Sequence, residues 1–185
     1  QYDPSSNTWP EVKLTASNGL AGDYFGNSVA VSGSTVVVGG YKADNANGAN
    51  AGSAYVFQYQ PSTDSWVETI IDASDGFTNQ YFAYSVSISG DTILVGAYGD
   101  GTNKGALYFY QYDPSSDDWA EYKQVASDSS TWDYFGISVA IDGQTAIAGA
   151  INHDGGNGND SGAAYIFQYQ PSTDTWVETK ISRSD

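Results

Sequence analysis

The stretch Tyr24-Phe25-Gly26-Asn27-Ser28-Val29 returns as Tyr81-Phe82-Ala83-Tyr84-Ser85-Val86 and again as Tyr134-Phe135-Gly136-Ile137-Ser138-Val139, at spacings of 57 and 53 residues. A second string, QY-[DQ]-PS-[ST]-x-x-W, occurs four times, at Gln1–Trp9, Gln58–Trp66, Gln111–Trp119 and Gln168–Trp176, with its Trp residues 57, 53 and 57 apart. The two strings march in register, and recurrence of this kind is the signature of a repeat architecture. A longer period of 110 residues lies on top, because Gln1–Asp75 aligns without a gap to Gln111–Asp185 with more than half of the 75 positions identical. The duplicated unit is therefore a pair of repeats, one carrying QYDPSS and the other QYQPST.

Outward from Tyr24, each repeat reads as strand, turn, strand. Asn27–Ser32 alternates as a short strand, and Ser32-Gly33 is a turn signal. Thr35–Tyr41 is nearly continuous in apolar residues, which suits a strand buried on both faces. A loop rich in Gly, Asn and Ala follows over Lys42–Ala51. Ser53–Gln60 then alternates, with Tyr55, Phe57 and Tyr59 on one face. Pro61-Ser62-Thr63-Asp64 reads as a turn, since Pro fixes φ and Asp tolerates the bend. Trp66–Ala73 is the fourth strand. Four strands in a repeat of this size describe a propeller blade. No window shows a 3.6-residue apolar period, so essentially no helix is expected. The fold class is all-β: four-stranded antiparallel propeller-type blades in tandem, about three and a fraction of them, forming a partial propeller or an open array. Residues 1–18 read as the end of a preceding repeat, and three full repeats follow over 19–75, 76–128 and 129–185.

Composition narrows the function classes. Aromatic residues make up 15% of the chain and Gly numbers 21, a mixture suited to pleated half-buried surfaces and unlike a disordered acidic tail. Net charge is −16, and Asp outnumbers Glu by 18 to four. Asp favours turns, so most of this charge is expected in loops. A field of that sign argues against nucleic acid and anionic membranes as partners. With no Cys, disulfide scaffolds and thiolate chemistry are excluded, and no stretch approaches a membrane span. The chain starts at Gln1, with nothing resembling a signal peptide, which suggests a start already removed by processing or by choice of segment.

These strings resemble the FG-GAP repeats of the integrin α-subunit head and of many secreted bacterial and algal proteins. The FG element corresponds to Phe25-Gly26, Phe82-Ala83 and Phe135-Gly136. The GAP element corresponds to Gly39-Gly40-Tyr41, Gly96-Ala97-Tyr98 and Gly149-Ala150-Ile151, and a glycine before an aromatic strand recurs at Gly52, Gly105 and Gly162. The resemblance implies an extracellular or cell-surface propeller repeat that binds or assembles and does not catalyse. Phe25, Phe82 and Phe135 have the size to fill space between adjoining blades, and Trp66, Trp119 and Trp176 are expected to pack between sheets as well. The Gly after Phe25 and Phe135 would admit φ > 0 or a neighbouring backbone. Two departures stand out. The Pro of GAP is missing from all three copies. The calcium loop of the integrin version is here only Ser32-Gly33-Ser34, Ser89-Gly90-Asp91 and Asp142-Gly143-Gln144, too short for the six to eight oxygens that calcium takes.

A different loop holds the remaining metal candidates. Asp44, Asn45, Asn47 and Asn50 precede one aromatic strand, Asp154, Asn157, Asn159 and Asp160 precede its counterpart, and Asp100 and Asn103 are the shorter version between them. Clustered side-chain oxygens among glycines suit a hard cation, although the same residues make ordinary exposed turns. No cofactor is required, and calcium is left open at these loops alone. Catalysis finds no nucleophile motif, and His153 is the chain's one His, with Ala43 as its repeat-mate. Trp132 stands outside the repeated core, since Gly22 and Asn79 are its counterparts, and it reads either as an exposed contact for a ligand or partner or as local packing. Asn159-Asp160-Ser161 is the chain's N-glycosylation sequon, and the Pro-Ser turns are O-glycan candidates.

A ring needs roughly four to eight blades, so it would require the rest of a longer chain or association of copies; the remaining choice is an open stack, as a segment of a longer or polymeric array. Two functions follow. One is an extracellular structural or adhesive array that assembles with copies of itself or with other extracellular proteins, as a filament or surface layer. The other is a lectin-like propeller that binds glycans between blades.

Overall fold

The computed structural model describes residues 5, 7, 8, 11–154 and 160–181. Among these described residues, twelve strands form three separate four-stranded sheets. The first comprises β1 (Val29–Ser32), β2 (Thr35–Gly40), β3 (Ser53–Gln60) and β4 (Ser65–Ile71). The second comprises β5 (Phe82–Ser89), β6 (Thr92–Ala97), β7 (Ala106–Asp113) and β8 (Asp118–Gln124). The third comprises β9 (Phe135–Asp142), β10 (Thr145–Ala150), β11 (Ala163–Gln170) and β12 (Thr175–Ile181). Strand order within each sheet is sequence order, and every pairing is antiparallel. These are the blades that the repeat implied. The turn at Asp100–Asn103 is no α-helix, because Gly101 (φ 54°) and Thr102 (φ 66°) are left-handed. Among the described residues no helix is long and apolar enough to cross a membrane.

The hairpin joining the two outer strands shows how the QY…W string works. Tyr59 pairs with Trp66 across β3 and β4, as Tyr112 does with Trp119 and Tyr169 with Trp176. Such opposed side chains are the unit that stabilises a sheet. Each Tyr hydroxyl then reaches over the turn to an Asp: Tyr59 to Asp64 at 2.6 Å, Tyr112 to Asp117 at 2.6 Å and Tyr169 to Asp174 at 2.5 Å. The three Asp residues have φ of 50°, 54° and 54°, a conformation Asp accepts more readily than most residues.

Neighbouring blades share their cores. Val37, Ala54 and Val56 of the first blade form one cluster with Phe82, Val86 and Ile88 of the second. Leu94, Leu107 and Phe109 of the second meet Phe135 and Ile141 of the third. Phe82 and Phe135 are completely buried at these joints, while Phe25 is half-buried and packs on its own blade's Tyr55 and Phe57 at 5.2 and 6.2 Å. Each buried aromatic contributes on the order of 2–3 kcal/mol. Trp176 stacks on Phe109 of the preceding blade at 4.2 Å, and Trp119 packs against the first joint. Trp66 packs within the cluster of the first blade.

Candidate functional site: the blade joint, its open halves and an aromatic ribbon

The joint is built from small residues, where backbone meets backbone. A Cβ added to Gly39 would lie 2.1 Å from the Ala83 carbonyl oxygen, and one added to Gly96 would lie 2.0 Å from that of Gly136. The GAP glycine of one blade is therefore the seat of the FG turn of the next. Gly26 and Gly136 have φ of 92° and 82°, and Ala83 takes the same left-handed turn at 62°, as expected for a turn needing φ > 0. Backbone amides of Phe82 and Phe135 donate to the Ala51 and Lys104 carbonyls of the preceding blade at 2.9 and 3.0 Å. Serines add rungs along the first strands: Ser28 accepts from Val86 N at 3.0 Å, Ser32 from Gly90 N at 3.0 Å, Ser87 from Ile141 N at 3.1 Å and Ser89 from Gly143 N at 2.9 Å. At the outer edge a Glu clamps the loop before its blade. Glu121 accepts from Ser74 N at 3.0 Å and Ser74 Oγ at 2.5 Å, as Glu178 does from Ser127, while Glu68 accepts from Ser17 N alone, at 3.1 Å.

Both ends of the stack carry half a joint. Val86 and Ile88 are 6% and 7% exposed against the first blade, whereas their counterparts Val29 and Val31 are 66% and 69% exposed. On the opposite face, Val37 and Leu94 are fully buried under the following blade, and their counterpart Ile147 is 40% exposed. Gly149 stands where Gly39 and Gly96 seat the next FG turn, yet nearest to its Cβ position is only its own blade's Ser138 Oγ at 2.7 Å. The socket and its plug are both present, on opposite faces.

Charged stations lock the second and third blades. In the second, Lys123 Nζ lies 2.6 Å from Asp75 and 2.7 Å from Asp100, and Asp100 also accepts from Gln80 at 2.9 Å and Tyr108 at 3.1 Å. In the third, Lys180 Nζ lies 2.6 Å from Asp128 and donates to His153 Nε2 at 2.7 Å, leaving Nδ1–H to donate to Asp133 at 2.8 Å. His153 is thus a buried member of a network and not a free loop residue, and Asp100 holds its position in the second blade. Burial works to raise the Asp75 and Asp128 pKa, but hydrogen bonds from Lys123 and Tyr108, and from Lys180 and Tyr165, outweigh it and leave both below the usual carboxylate range. Tyr108 and Tyr165 are pushed upward, first by burial and then by their Asp acceptors. The first blade lacks the station, with Asn18, Ala43 and Ile70 at these positions, and the buried Tyr55 hydroxyl finds no partner among the described residues. Comparison of repeat columns holds the signal for these residues: Ile70, Lys123 and Lys180 change together with Asn18, Asp75 and Asp128.

In the first-blade loop the candidate cation ligands bond to the protein itself. Asp44 Oδ1 accepts from Asn50 N at 2.8 Å, Asn47 Nδ2 donates to the Ala73 carbonyl at 2.8 Å, and Asn50 Nδ2 donates to Asn79 at 2.8 Å. Asp154 Oδ1 caps Asp160 N in the same way at 2.9 Å. Asn157 and Asn159 lie outside the described residues. Among the described residues no three acidic or imidazole groups converge to hold a metal ion.

A ribbon of aromatic rings crosses all three blades at one end. Tyr24 and Tyr41 lie 5.4 Å apart, Tyr41 and Tyr84 5.1 Å, Tyr84 and Tyr98 4.7 Å, Tyr98 and Tyr134 5.5 Å, and Tyr134 and Trp132 6.2 Å. Burial among these rings pushes the Tyr98 hydroxyl up to about 12. Tyr41 and Tyr98 occupy the place of the missing GAP proline, so that departure has a structural use. Trp132 ends the ribbon, 55% exposed and in contact with Tyr134.

Blades of this form, mated face to face through glycine seats and FG turns, define a β-propeller-type repeat protein. The profile of the FG-GAP repeat family matches residues 9–57, 66–110 and 119–167, most of the chain, and the chain belongs to that family. Members of this family are generally structural or ligand-binding repeats. The second and third matched spans run from the fourth strand of one blade to the third strand of the next, so the family's frame crosses a joint. Among solved structures, YjhT aligns over 86% of this chain at 12% identity with a TM-score of 0.44. This chain covers 52% of that one, about half its length. No curated protein matches the sequence.

Proposed function

We propose that this chain is a non-enzymatic extracellular module whose repeats mediate assembly or cell-surface contact by docking further blades of the same kind. The observation that carries the reading is the pair of half-joints: Val29 and Val31 on one face, Ile147 and the vacant seat at Gly149 on the other. A contact between unlike faces that does not close generates a filament, and one that closes generates a ring. Further blades of the same kind, from copies of this chain or from more of a longer one, fit both faces, because the buried joints already present use the same residues. Carbohydrate binding is the competing reading, and discrete particles that bind a neutral-glycan array without associating would replace assembly with it.

Sedimentation velocity and negative-stain microscopy test the proposal. The chain is expected to form end-to-end oligomers that grow with concentration. Gly149→Val should abolish them while leaving the circular dichroism spectrum unchanged. Gly96→Val, at an occupied seat, should instead prevent folding, because the Gly136 carbonyl has nowhere to go. A wild-type chain that stays monomeric at millimolar concentration would overturn the reading.

A further inference from the structure

A cavity of about 550 Å³ opens between the second and third blades, walled by the rings of Phe77, Tyr81, Tyr98, Trp132 and Tyr134 and floored in part by Gly99. Among the described residues no charged side chain lines it. Tyr81 stacks on Tyr98 at 5.0 Å and 14°, whereas Tyr98 meets Tyr134 at 75° and Tyr134 meets Trp132 at 78°, so the rings turn through successive right angles around the opening, with Trp132 55% exposed at its end. The backbone marks the same place: Trp132 has φ 75°, where its repeat-mates are Asn79 (φ 64°) and Gly22 (φ 100°). A bulky residue in the left-handed region costs on the order of 1–3 kcal/mol, and such strain persists mostly at functional sites.

The first blade shows what chemistry these rings accept. There Lys42 Nζ sits 5.0 Å from the centre of the Tyr24 ring and 5.6 Å from that of Tyr41. Tyr81 and Tyr98 are the repeat-mates of that ring pair, and the mate of Lys42 is Gly99. The chain supplies its own ammonium at one station of the ribbon and none at the next, where the cavity lies. Lys104, which follows the lining residue Asn103, is exposed and does not line the cavity. An aromatic ring attracts a cation through its negative face. A net charge of −16 raises the local concentration of cations and disfavours anions. We propose that this cavity binds a small organic ammonium ion, of the trimethylammonium type, against Trp132, Tyr134 and Tyr98.

Isothermal titration with choline, and with its uncharged isostere 3,3-dimethylbutan-1-ol, tests this. Choline should bind saturably and the isostere at least about tenfold more weakly, the size expected for a partly desolvated cation–π contact. Trp132→Asn installs the residue of the second repeat, which tolerates the left-handed backbone; it should weaken choline binding about tenfold with no loss of melting temperature. Flotation with phosphatidylcholine vesicles separates the sources of the group: binding that free choline displaces assigns a lipid headgroup, and none assigns a free cation. Equal affinity for choline and the isostere overturns the proposal. So does undiminished binding by the Trp132 variant, or binding of a neutral oligosaccharide such as cellotetraose with none of choline.

Discussion

At the scale of single residues, the three blades form a natural mutant series around one buried tyrosine. Tyr108 is satisfied by Gln80, Asp75 and Asp100, and Tyr165 by Asp128, whereas in the first blade, where Asn18 and Ala43 stand for Asp75 and Asp100, the Tyr55 hydroxyl is buried unpartnered. An orphaned buried hydroxyl costs on the order of 1–3 kcal/mol. Tyr55→Phe is therefore expected to stabilise the chain by about 1 kcal/mol, and Tyr108→Phe to destabilise it by about as much or more, both read from urea denaturation. The stations also set a pH dependence. Asp75 and Asp128 have lowered pKa values in the folded chain, so their contribution is present above the unfolded value and lost as pH falls through the folded one. Melting temperature should therefore drop below about pH 4, and Asp75→Asn with Asp128→Asn should flatten that drop. Lys123 has a raised pKa: burial opposes its charge, but Asp100 and Asp75 prevail, and its contribution is lost only as pH rises past the ordinary lysine range.

At the scale of elements, the outer clamp and the inner seat divide the work of joining blades. Glu121 serves three donors, Ser74 N, Ser74 Oγ and Tyr110 OH. Glu121→Ala strips all three of their acceptor and should cost about 2 kcal/mol, whereas Glu121→Gln, which keeps an acceptor oxygen, should cost less; paired thermal melts decide it. The loop that carries Asp44 spends that carboxylate and its asparagines on internal bonds. Chelation with EGTA is accordingly expected to leave the melting temperature unchanged, and a fall of several degrees would locate a calcium site here. Strand positions were legible in the sequence because Gly, Pro and Asp punctuate them, and Ser53–Gln60 begins and ends where the alternation does. The joint was legible in Phe82 and Phe135. His153 was not, because its partners Asp128 and Asp133 come from the loop before β9 and Lys180 from β12, and no local pattern joins them. The aromatic ribbon escaped for a related reason: each Tyr belongs to a familiar string, and only packing of successive blades brings the strings edge to edge.

At the scale of the whole molecule, the three sheets behave as a one-dimensional stack in which each blade's stability depends on its neighbours. The middle blade has both faces covered; β6 is buried except at Thr92, and β7 is buried over Ala106–Tyr110. Hydrogen exchange is expected to be slowest in β6 and β7 and faster in β1 and β12, which border the open faces. A uniform protection pattern across the three sheets would show that they do not unfold as separate units.

The joint mates unlike faces, and that gives any assembly a direction. A growing polymer of such chains has one end that offers valines and another that offers a glycine seat, and the two need not elongate at the same rate. A copy damaged at one face alone could still add by the other, and nothing could then follow it. Gly149→Val protein mixed at a few per cent into the wild type would thus act as a chain terminator, shortening polymers far out of proportion to its abundance.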